Sequence, residues 1–261
     1  MKKIAAITAV FAMLVPMSTS AFAQSADIQP SLAVLGDMCT VHESGEILRD
    51  DGQPIERSDL DLLLAGIEIL DNLYGEFVAE EYKETLSNCV ESIKQIRNAS
   101  DDSKLTEEEM DTVSTSLFAV LFSYGPVLEE TPGDELLDRA YGLAQHDYSE
   151  MPESDIRDYM AYLLSKDKSG MTEDEKKEHT MNLIAAASVY RSGATFVLGD
   201  VNRDGRINAR DALMILRSQA GSSELEDYQT FLADVNKDNR LTAMDAVKVQ
   251  RYAAGTISSF K

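Results

Sequence analysis

Two segments near the C-terminus carry side-chain oxygens at matching positions. The first, GDVNRDGRINARDALMILRSQAG, runs from Gly199 to Gly221, and the second, ADVNKDNRLTAMDAVKVQRYAAG, runs from Ala233 to Gly255. They align without gaps, their first residues lie 233 − 199 = 34 positions apart, and about half of the aligned residues are identical. A repeat this short indicates one supersecondary unit that is used twice.

Each copy offers the oxygen ligands that a hard divalent cation prefers. With the first Asp of each copy as position 1, oxygens occur at positions 1, 3, 5, 9 and 12: Asp200, Asn202, Asp204, Asn208 and Asp211, and then Asp234, Asn236, Asp238, Thr242 and Asp245. Because Ca²⁺ binds about six to eight oxygens, a tight loop with this spacing can wrap it. Three carboxylates held this closely repel one another unless a cation binds. The sequence therefore predicts two calcium sites.

The main chain completes the predicted ligand set. Position 7 supplies its backbone carbonyl, which leaves the side chains of Arg206 and Arg240 to solvent. Position 6 needs a left-handed turn, which Gly205 adopts freely and Asn239 adopts next best. The carboxylate at position 12 lies just inside a following helix and returns to the ion. The predicted core is small for some sixty residues, so we expect calcium to fold this segment; it comprises Ile207, Leu213, Ile215, Leu216, Leu241, Val247 and Val249.

A duplicated calcium loop, each copy with one following helix and no helix before it, resembles the dockerin module of cellulosomal proteins. The D-V-N-x-D-x-x-(I/L)-x-x-x-D core and the Arg at position 18 of each copy, Arg217 and Arg251, are similar to that family. The resemblance covers about Val197 to Ile257. It implies a type I-like dockerin with EF-hand-like loop-helix motifs, two bound Ca²⁺ ions and, as the partner, a cohesin domain of a scaffoldin.

The resemblance also implies which residues face the cohesin. In the family, selectivity resides largely at positions 10 and 11, and position 18 adds contacts; here these are Ala209, Arg210 and Arg217 in the first copy and Ala243, Met244 and Arg251 in the second. Because position 11 differs between the copies, we do not expect the two faces to be equivalent. Position 4 is Arg203 or Lys237 where Gly is frequent in the family, and with Asn239 at position 6 we expect a weaker second site.

The rest of the chain is predicted to be helical, because apolar residues recur at three- and four-residue steps. Helices are predicted to start at Ser58-Asp59, at about Ala79, at the Thr106–Glu109 capping box, at Asp134, at Ser154-Asp155 and at the Thr172–Glu175 capping box, with a further short helix around Ser31 to Met38. We expect Gly125-Pro126 to end the third. The predicted fold class is all-α: a helical bundle over 24–192, a linker over 193–196 and the dockerin over 197–261.

The N-terminus predicts export. Met1-Lys2-Lys3 precedes an apolar run that ends in Ala21-Phe22-Ala23, the small-x-small pattern of a signal peptide over 1–23. The run is too short to remain as a membrane span. We therefore expect a secreted, extracellular, cellulosome-associated protein. The net charge of −22 argues against nucleic acid and anionic membranes as partners.

Outside the cytosol, Cys39 and Cys89 can form a disulfide, with two buried free thiols as the alternative. The helical half contains no HExxH, GxSxG or Gly-rich phosphate motif, and His42, His146 and His179 lie far apart. We expect a non-catalytic cargo module that docking delivers to a polysaccharide-degrading complex.

Two alternatives for the helical half stay open. The first is an unrecognised glycoside hydrolase, which acts on O-glycosyl compounds in polysaccharide catabolism and needs two positioned carboxylates. The absence of Trp disfavours it, because sugar subsites usually stack on aromatic rings. The second is a carbohydrate-binding module, although those modules are usually β-sandwiches.

Overall fold

The computed structural model describes residues 40–41, 47–48, 53–100 and 102–260. The predicted signal peptide, the short helix expected around Ser31 to Met38, and Cys39 lie outside these residues. Contacts divide the chain into two compact units. The helical unit comprises Met1–Glu150 and Leu163–Ala194, and the C-terminal unit comprises Met151–Tyr162 and Thr195–Lys261. The segment Met151–Tyr162, which the sequence places in the helical module, thus packs within the C-terminal unit.

Helices account for nearly all regular structure in the described residues, which confirms the all-α class. In chain order they are α1 (Leu60–Tyr74), α2 (Glu80–Asn98), α3 (Glu107–Glu130), α4 (Gly133–Glu150), α5 (Asp155–Ser165), α6 (Glu173–Ser192), α7 (Ala209–Gln219), α8 (Asp227–Ala233) and α9 (Ala243–Ala253). Two short strands, β1 (Thr40–Val41) and β2 (Ile47–Leu48), pair antiparallel with Thr40 opposite Leu48.

The helical unit is built around α1, which packs against α6, α2 and α3, while α4 packs against α6. Fully buried apolar side chains from each helix fill the space between them, among them Leu60, Ile69, Ile93, Val113, Leu136 and Ile184. The buried Tyr74 donates a hydrogen bond from its hydroxyl to the Leu136 carbonyl at 2.8 Å. Its polar end is therefore satisfied inside the core, as a buried hydroxyl requires.

The two capping boxes read from the sequence are present. The Glu109 amide donates to Thr106 Oγ1 at 3.2 Å, and the Thr106 amide donates to Glu109 Oε2 at 2.8 Å. Thr172 and Glu175 exchange the same pair of bonds at the start of α6. These reciprocal bonds satisfy amides that have no partner within the helix, and so they fix where each helix begins.

One predicted helix end is wrong. We expected Gly125-Pro126 to stop α3, but the helix continues through Pro126 to Glu130. Proline removes one i→i−4 hydrogen bond and clashes with the preceding turn, which normally breaks a helix. Here Val127 and Leu128 are buried on the far side of the proline. Their burial offsets the lost hydrogen bond. Because this burial depends on tertiary packing, the local sequence does not predict it.

The C-terminal unit places two loop-helix copies face to face, because α7 packs against α9. Its core consists of Leu198, Val201, Ala212, Ile215, Ala233, Val235, Ala246 and Val249. A short helix, α8, directly precedes the second loop. This helix corrects the expectation that no helix comes before either loop.

Part of the predicted core is exposed instead. Leu213, Leu216 and Val247 retain 45%, 39% and 45% of their exposure. On α7 the buried residues are Asp211, Ala212 and Ile215, so Leu213 and Leu216 project from the opposite side of the helix. Asp211, a predicted calcium ligand, faces inward together with Ala212 and Ile215, and this orientation of the helix leaves Leu213 and Leu216 facing solvent.

Cys89 lies half-buried on α2, and burial raises the pKa of its thiol. Its expected disulfide partner Cys39 lies outside the described residues, so the bridge stays a prediction. None of the helices in the described ranges combines the length and apolarity that crossing a membrane requires.

Candidate calcium-binding and docking site

The first loop is shaped by its own side chains. The Asp200 carboxylate accepts hydrogen bonds from the main-chain amides of Asp204 at 3.1 Å and Gly205 at 2.9 Å. Further along, Asn202 Oδ1 accepts from the Asp204 amide at 3.2 Å, and Asp204 Oδ1 accepts from the Arg206 amide at 2.9 Å. These Asx turns wind the chain around the oxygens of positions 1, 3 and 5.

The second loop repeats this pattern. The Asp234 carboxylate accepts from the amides of Asp238 at 3.2 Å and Asn239 at 2.7 Å. Asn236 Oδ1 accepts from the Asp238 amide at 2.9 Å, and Asp238 Oδ1 accepts from the Arg240 amide at 2.9 Å. The structure therefore brings the predicted ligands of each copy together within one turn-rich loop.

Positions 4 and 6 of the loops are left-handed. Position 6 behaves as the sequence indicates, with φ of 79° at Gly205 and 61° at Asn239. Position 4 is left-handed as well, with φ of 53° at Arg203 and 55° at Lys237. A side chain in this region costs about 1 to 2 kcal/mol, which gives a physical reason for glycine at position 4 in similar modules. The spacing of the ligand residues does not indicate this requirement.

Position 12 closes each loop from the start of the following helix. Asp211 is fully buried, and its carboxylate accepts from the amides of Val201 at 2.9 Å and Asn208 at 2.8 Å. Asp245 is also fully buried, and its Oδ2 accepts from the Thr242 amide at 2.9 Å and hydroxyl at 3.0 Å. Asp245 Oδ1 is buried without a hydrogen-bond partner. An unpaired buried carboxylate oxygen is costly, and a cation in the second loop would satisfy it.

Burial, with a smaller contribution from neighbouring carboxylates, raises the pKa of several loop Asp residues. Burial, followed by the charges of Asp211 and Asp204, raises the pKa of Asp200 to about 6. Burial is likewise the main cause that raises the pKa of Asp211 and that of Asp234. A bound cation stabilises the ionised form of carboxyl groups that are buried close together. The electrostatics of the loops therefore fit a calcium ion.

The carboxylates alone do not complete a site. Among the residues that the structure describes, no group of three or more His, Cys, Asp or Glu side chains is arranged to hold a metal. The predicted ligand set adds amide, hydroxyl and main-chain oxygens, one of which, the Arg206 carbonyl, accepts from Asn208 Nδ2 at 3.0 Å. Because a carbonyl oxygen has two lone pairs, this hydrogen bond leaves the Arg206 carbonyl able to bind a cation.

The predicted cohesin-facing residues form two exposed stripes. All six are solvent-exposed: Ala209, Arg210, Arg217, Ala243, Met244 and Arg251. The structure adds apolar residues to each stripe, Leu213 and Leu216 on α7 and Val247 on α9. Leu213 and Val247 lie three residues after position 11 of their copies, and Leu216 lies three residues after Leu213. Since residues three or four apart share a helix face, this spacing predicts that the three residues belong to the stripes.

Comparison with protein families agrees with the geometry. Residues 198–253 match the family model of the dockerin type I domain. The match confirms the C-terminal resemblance, and the chain is a dockerin-containing protein. Dockerin type I domains bind calcium and bind cohesin domains. Neither the search of curated proteins nor the search of solved structures found a match to the chain.

The helical unit contains a groove of about 500 Å³ between α1 and α2. Its floor is apolar, and Glu68, Asp71 and Glu91 are acidic residues among those that line it. Asp71 Oδ1 accepts a hydrogen bond from the hydroxyl of Tyr124, the one aromatic residue of the lining, at 3.0 Å. Tyr124 is only 2% exposed, so its ring offers no face on which a sugar could stack.

Proposed function

We propose that this protein docks onto a cohesin through a C-terminal module that two calcium ions shape. The first ion is held by Asp200, Asn202, Asp204, the Arg206 carbonyl, Asn208 and Asp211. The second is held by Asp234, Asn236, Asp238, the Arg240 carbonyl, Thr242 and Asp245. The observation that carries the proposal is the same set of Asx turns, built twice, each closed by a fully buried Asp at position 12.

The two exposed stripes on α7 and α9 are the proposed contact surface. Each combines an Arg at position 18 with exposed apolar side chains, a composition that suits a protein partner. The stripes are not equivalent, because position 11 is Arg210 on α7 and Met244 on α9. Met244 is 59% exposed, so the α9 stripe offers more apolar area at that position.

We further propose that the protein is exported by the signal peptide over 1–23, and that the helical unit is cargo carried to an extracellular polysaccharide-degrading complex. The domain division of 24–192, 193–196 and 197–261 remains a proposal within this picture. Hydrolysis of glycosidic bonds by the cargo remains the alternative. The groove between α1 and α2 supplies carboxylates but no stacking surface, so it does not favour that alternative.

The test is cohesin binding by the purified full chain, measured by calorimetry in Ca²⁺ and in EDTA. We expect binding in Ca²⁺ and none in EDTA. Leu213→Glu and Val247→Glu place a charge in the α7 and α9 stripes, and at least one is expected to weaken binding by 10-fold or more, about 1.4 kcal/mol. Thr85→Glu, on the exposed side of α2, is the control.

Binding that persists in EDTA would contradict the proposal, as would equal affinity for all three variants. Reducing-sugar release from a panel of plant polysaccharides tests the alternative in the same preparation.

A further inference from the structure

The C-terminal unit contains a helical segment that precedes the dockerin match by more than thirty residues. Residues Met151–Tyr162 pack within this unit, whereas the family match spans 198–253. They include the first part of α5. The segment contacts the chain just ahead of each calcium loop.

Aromatic packing joins the segment to the start of both loops. Tyr159 is 2% exposed, and its ring stacks on Phe196 with centroids 5.3 Å apart and contacts Phe231 at 5.0 Å. Phe196 lies four residues before Asp200, and Phe231 lies on α8, three residues before Asp234. A single buried side chain thus touches the chain just ahead of each loop.

Polar contacts repeat this arrangement. Asp155 Oδ2 accepts a hydrogen bond at 2.9 Å from the Leu198 amide, two residues before the first loop. The Tyr159 hydroxyl donates to Asp227 Oδ2 at 3.1 Å, at the start of α8. Asp158 pairs with Lys237 at 2.5 Å, and Lys237 is the left-handed position 4 of the second loop. The Asp158–Lys237 pair is about half-exposed, so it contributes less than the buried ring.

We propose that Met151–Tyr162 is an integral part of the calcium-dependent module and that its packing is thermodynamically coupled to calcium binding. The proposal rests on the proposed function, since it needs calcium in the loops. Because the segment holds the residues that lead into both loops, less of the chain remains to be ordered when calcium binds. Coupling is reciprocal, so calcium must strengthen the packing of the segment by the same factor.

The experiment uses the full chain and calcium alone. Calorimetric titration of Ca²⁺ into chelator-treated protein is compared for wild type, Tyr159→Ala, Tyr159→Phe and Asp158→Asn. Tyr159→Ala is expected to weaken calcium binding by about 5- to 30-fold. The milder Tyr159→Phe and Asp158→Asn remove one polar contact each and are expected to weaken it by up to about fivefold.

Matched controls remove similar contacts from the helical unit. Tyr82→Ala removes an aromatic contact with Phe122 at 5.5 Å, and Asp138→Asn removes an exposed ion pair with Lys168 at 2.9 Å. Both are expected to leave calcium affinity unchanged. Amide hydrogen exchange gives an independent readout: adding Ca²⁺ to wild type should slow exchange in 151–162 together with 198–253.

Normal calcium affinity in all three test variants, with exchange in 151–162 indifferent to calcium, would overturn the coupling but leave the docking function intact. A wild-type chain that shows no calcium binding would overturn both. If Tyr159→Ala fails to fold, then Tyr159→Phe and the wild-type exchange data decide the outcome.

Discussion

At the scale of single residues, the calcium loops are held in a conformation that is electrostatically unfavourable without a cation. Asp200 is almost fully buried beside Asp211 and Asp204, and its carboxyl has a pKa of about 6 instead of the ordinary 3.8. The raised pKa means that Asp200 loses its proton less readily in the folded loop than in the unfolded chain, whereas calcium requires the ionised form. Proton and calcium therefore compete for the same oxygens.

This competition predicts opposite pH dependences with and without calcium. A carboxyl whose pKa is raised in the folded state stabilises the fold fully at pH values below its unfolded pKa of about 3.9. This stabilisation is lost as the pH rises through the folded pKa of about 6. In EDTA, the C-terminal unit should therefore lose stability between pH 4 and pH 7. In saturating Ca²⁺ the trend should reverse, because the ion binds the carboxylate. Denaturant unfolding followed by circular dichroism at several pH values measures both.

Asp200→Asn sharpens the test, because it replaces the carboxylate by a neutral group of the same shape. In EDTA at pH 7 the variant should be more stable than wild type, and it should bind calcium at least 10-fold more weakly. Asp138→Asn, at an exposed carboxylate of the helical unit, should change neither quantity. Equal pH profiles for wild type and Asp200→Asn in EDTA would exclude this electrostatic account.

At the scale of elements, the C-terminal tail closes the docking module. Phe260 stacks on Tyr252 of α9 with ring centroids 4.8 Å apart, and its carbonyl accepts from Lys248 Nζ at 3.3 Å. The Phe260 ring lies so close to Gly199 that a Cβ there would be 2.7 Å from it. Phe260 thus packs against the residue that precedes the first predicted calcium loop.

A pair of glycine substitutions isolates this contact. Gly199 and Gly221 both have positive φ, but a Cβ at Gly221 would meet nothing within 4 Å. Gly221→Ala should lower the free energy of unfolding only by the backbone strain, about 1 kcal/mol. Gly199→Ala should lower it by a further 1 kcal/mol or so, through overpacking against Phe260. Thermal or denaturant unfolding in Ca²⁺ measures the difference.

The same substitutions in a Phe260→Ala background complete a double-mutant cycle. Without the ring, Gly199→Ala should cost less than it does with the ring, whereas Gly221→Ala should cost the same in both backgrounds. If Gly199→Ala costs as much without Phe260 as with it, Phe260 does not pack against Gly199 as described.

At the scale of the whole molecule, we expect different interactions to stabilise the two units. The C-terminal unit is expected to depend on calcium in its loops, whereas the helical unit contains a buried polar cluster around Arg57. Arg57 is 4% exposed; its guanidinium pairs with Glu109 at 2.9 Å and donates to the carbonyls of Asp102 and Ile96. Hydrogen bonding to Arg57 is the main cause that lowers the pKa of Glu109 to about 2.

Chelation and an Arg57 substitution should therefore act on different units. EDTA should unfold or loosen the C-terminal unit while helical signal from the helical unit persists. Arg57→Met should destabilise the helical unit by about 3 kcal/mol, because it leaves several buried acceptors unpaired, and should leave calcium affinity unchanged. Hydrogen exchange resolved along the chain measures both effects. Equal loss of protection in 60–130 and 198–253 on chelation would contradict this separation.

Features that neighbouring residues create can be predicted from the order of the amino acids. The Asx turns join residues two to five apart, and the capping boxes join residues three apart, so their types and spacing suffice to predict the loops and most helix starts. The prediction that Leu213 and Leu216 belong to the core is wrong, because the apolar residues of α7 alone do not show that Asp211 faces inward.

Features that depend on partners distant in the chain become visible only in the folded protein. Tyr159 meets Phe231 across more than seventy residues, Arg57 meets Glu109 across more than fifty, and Pro126 is tolerated because the helix beyond it is buried. A local pattern records the preference of a residue for a turn or a helix, but not the partner that burial brings to it. That partner is fixed when the chain collapses around its core.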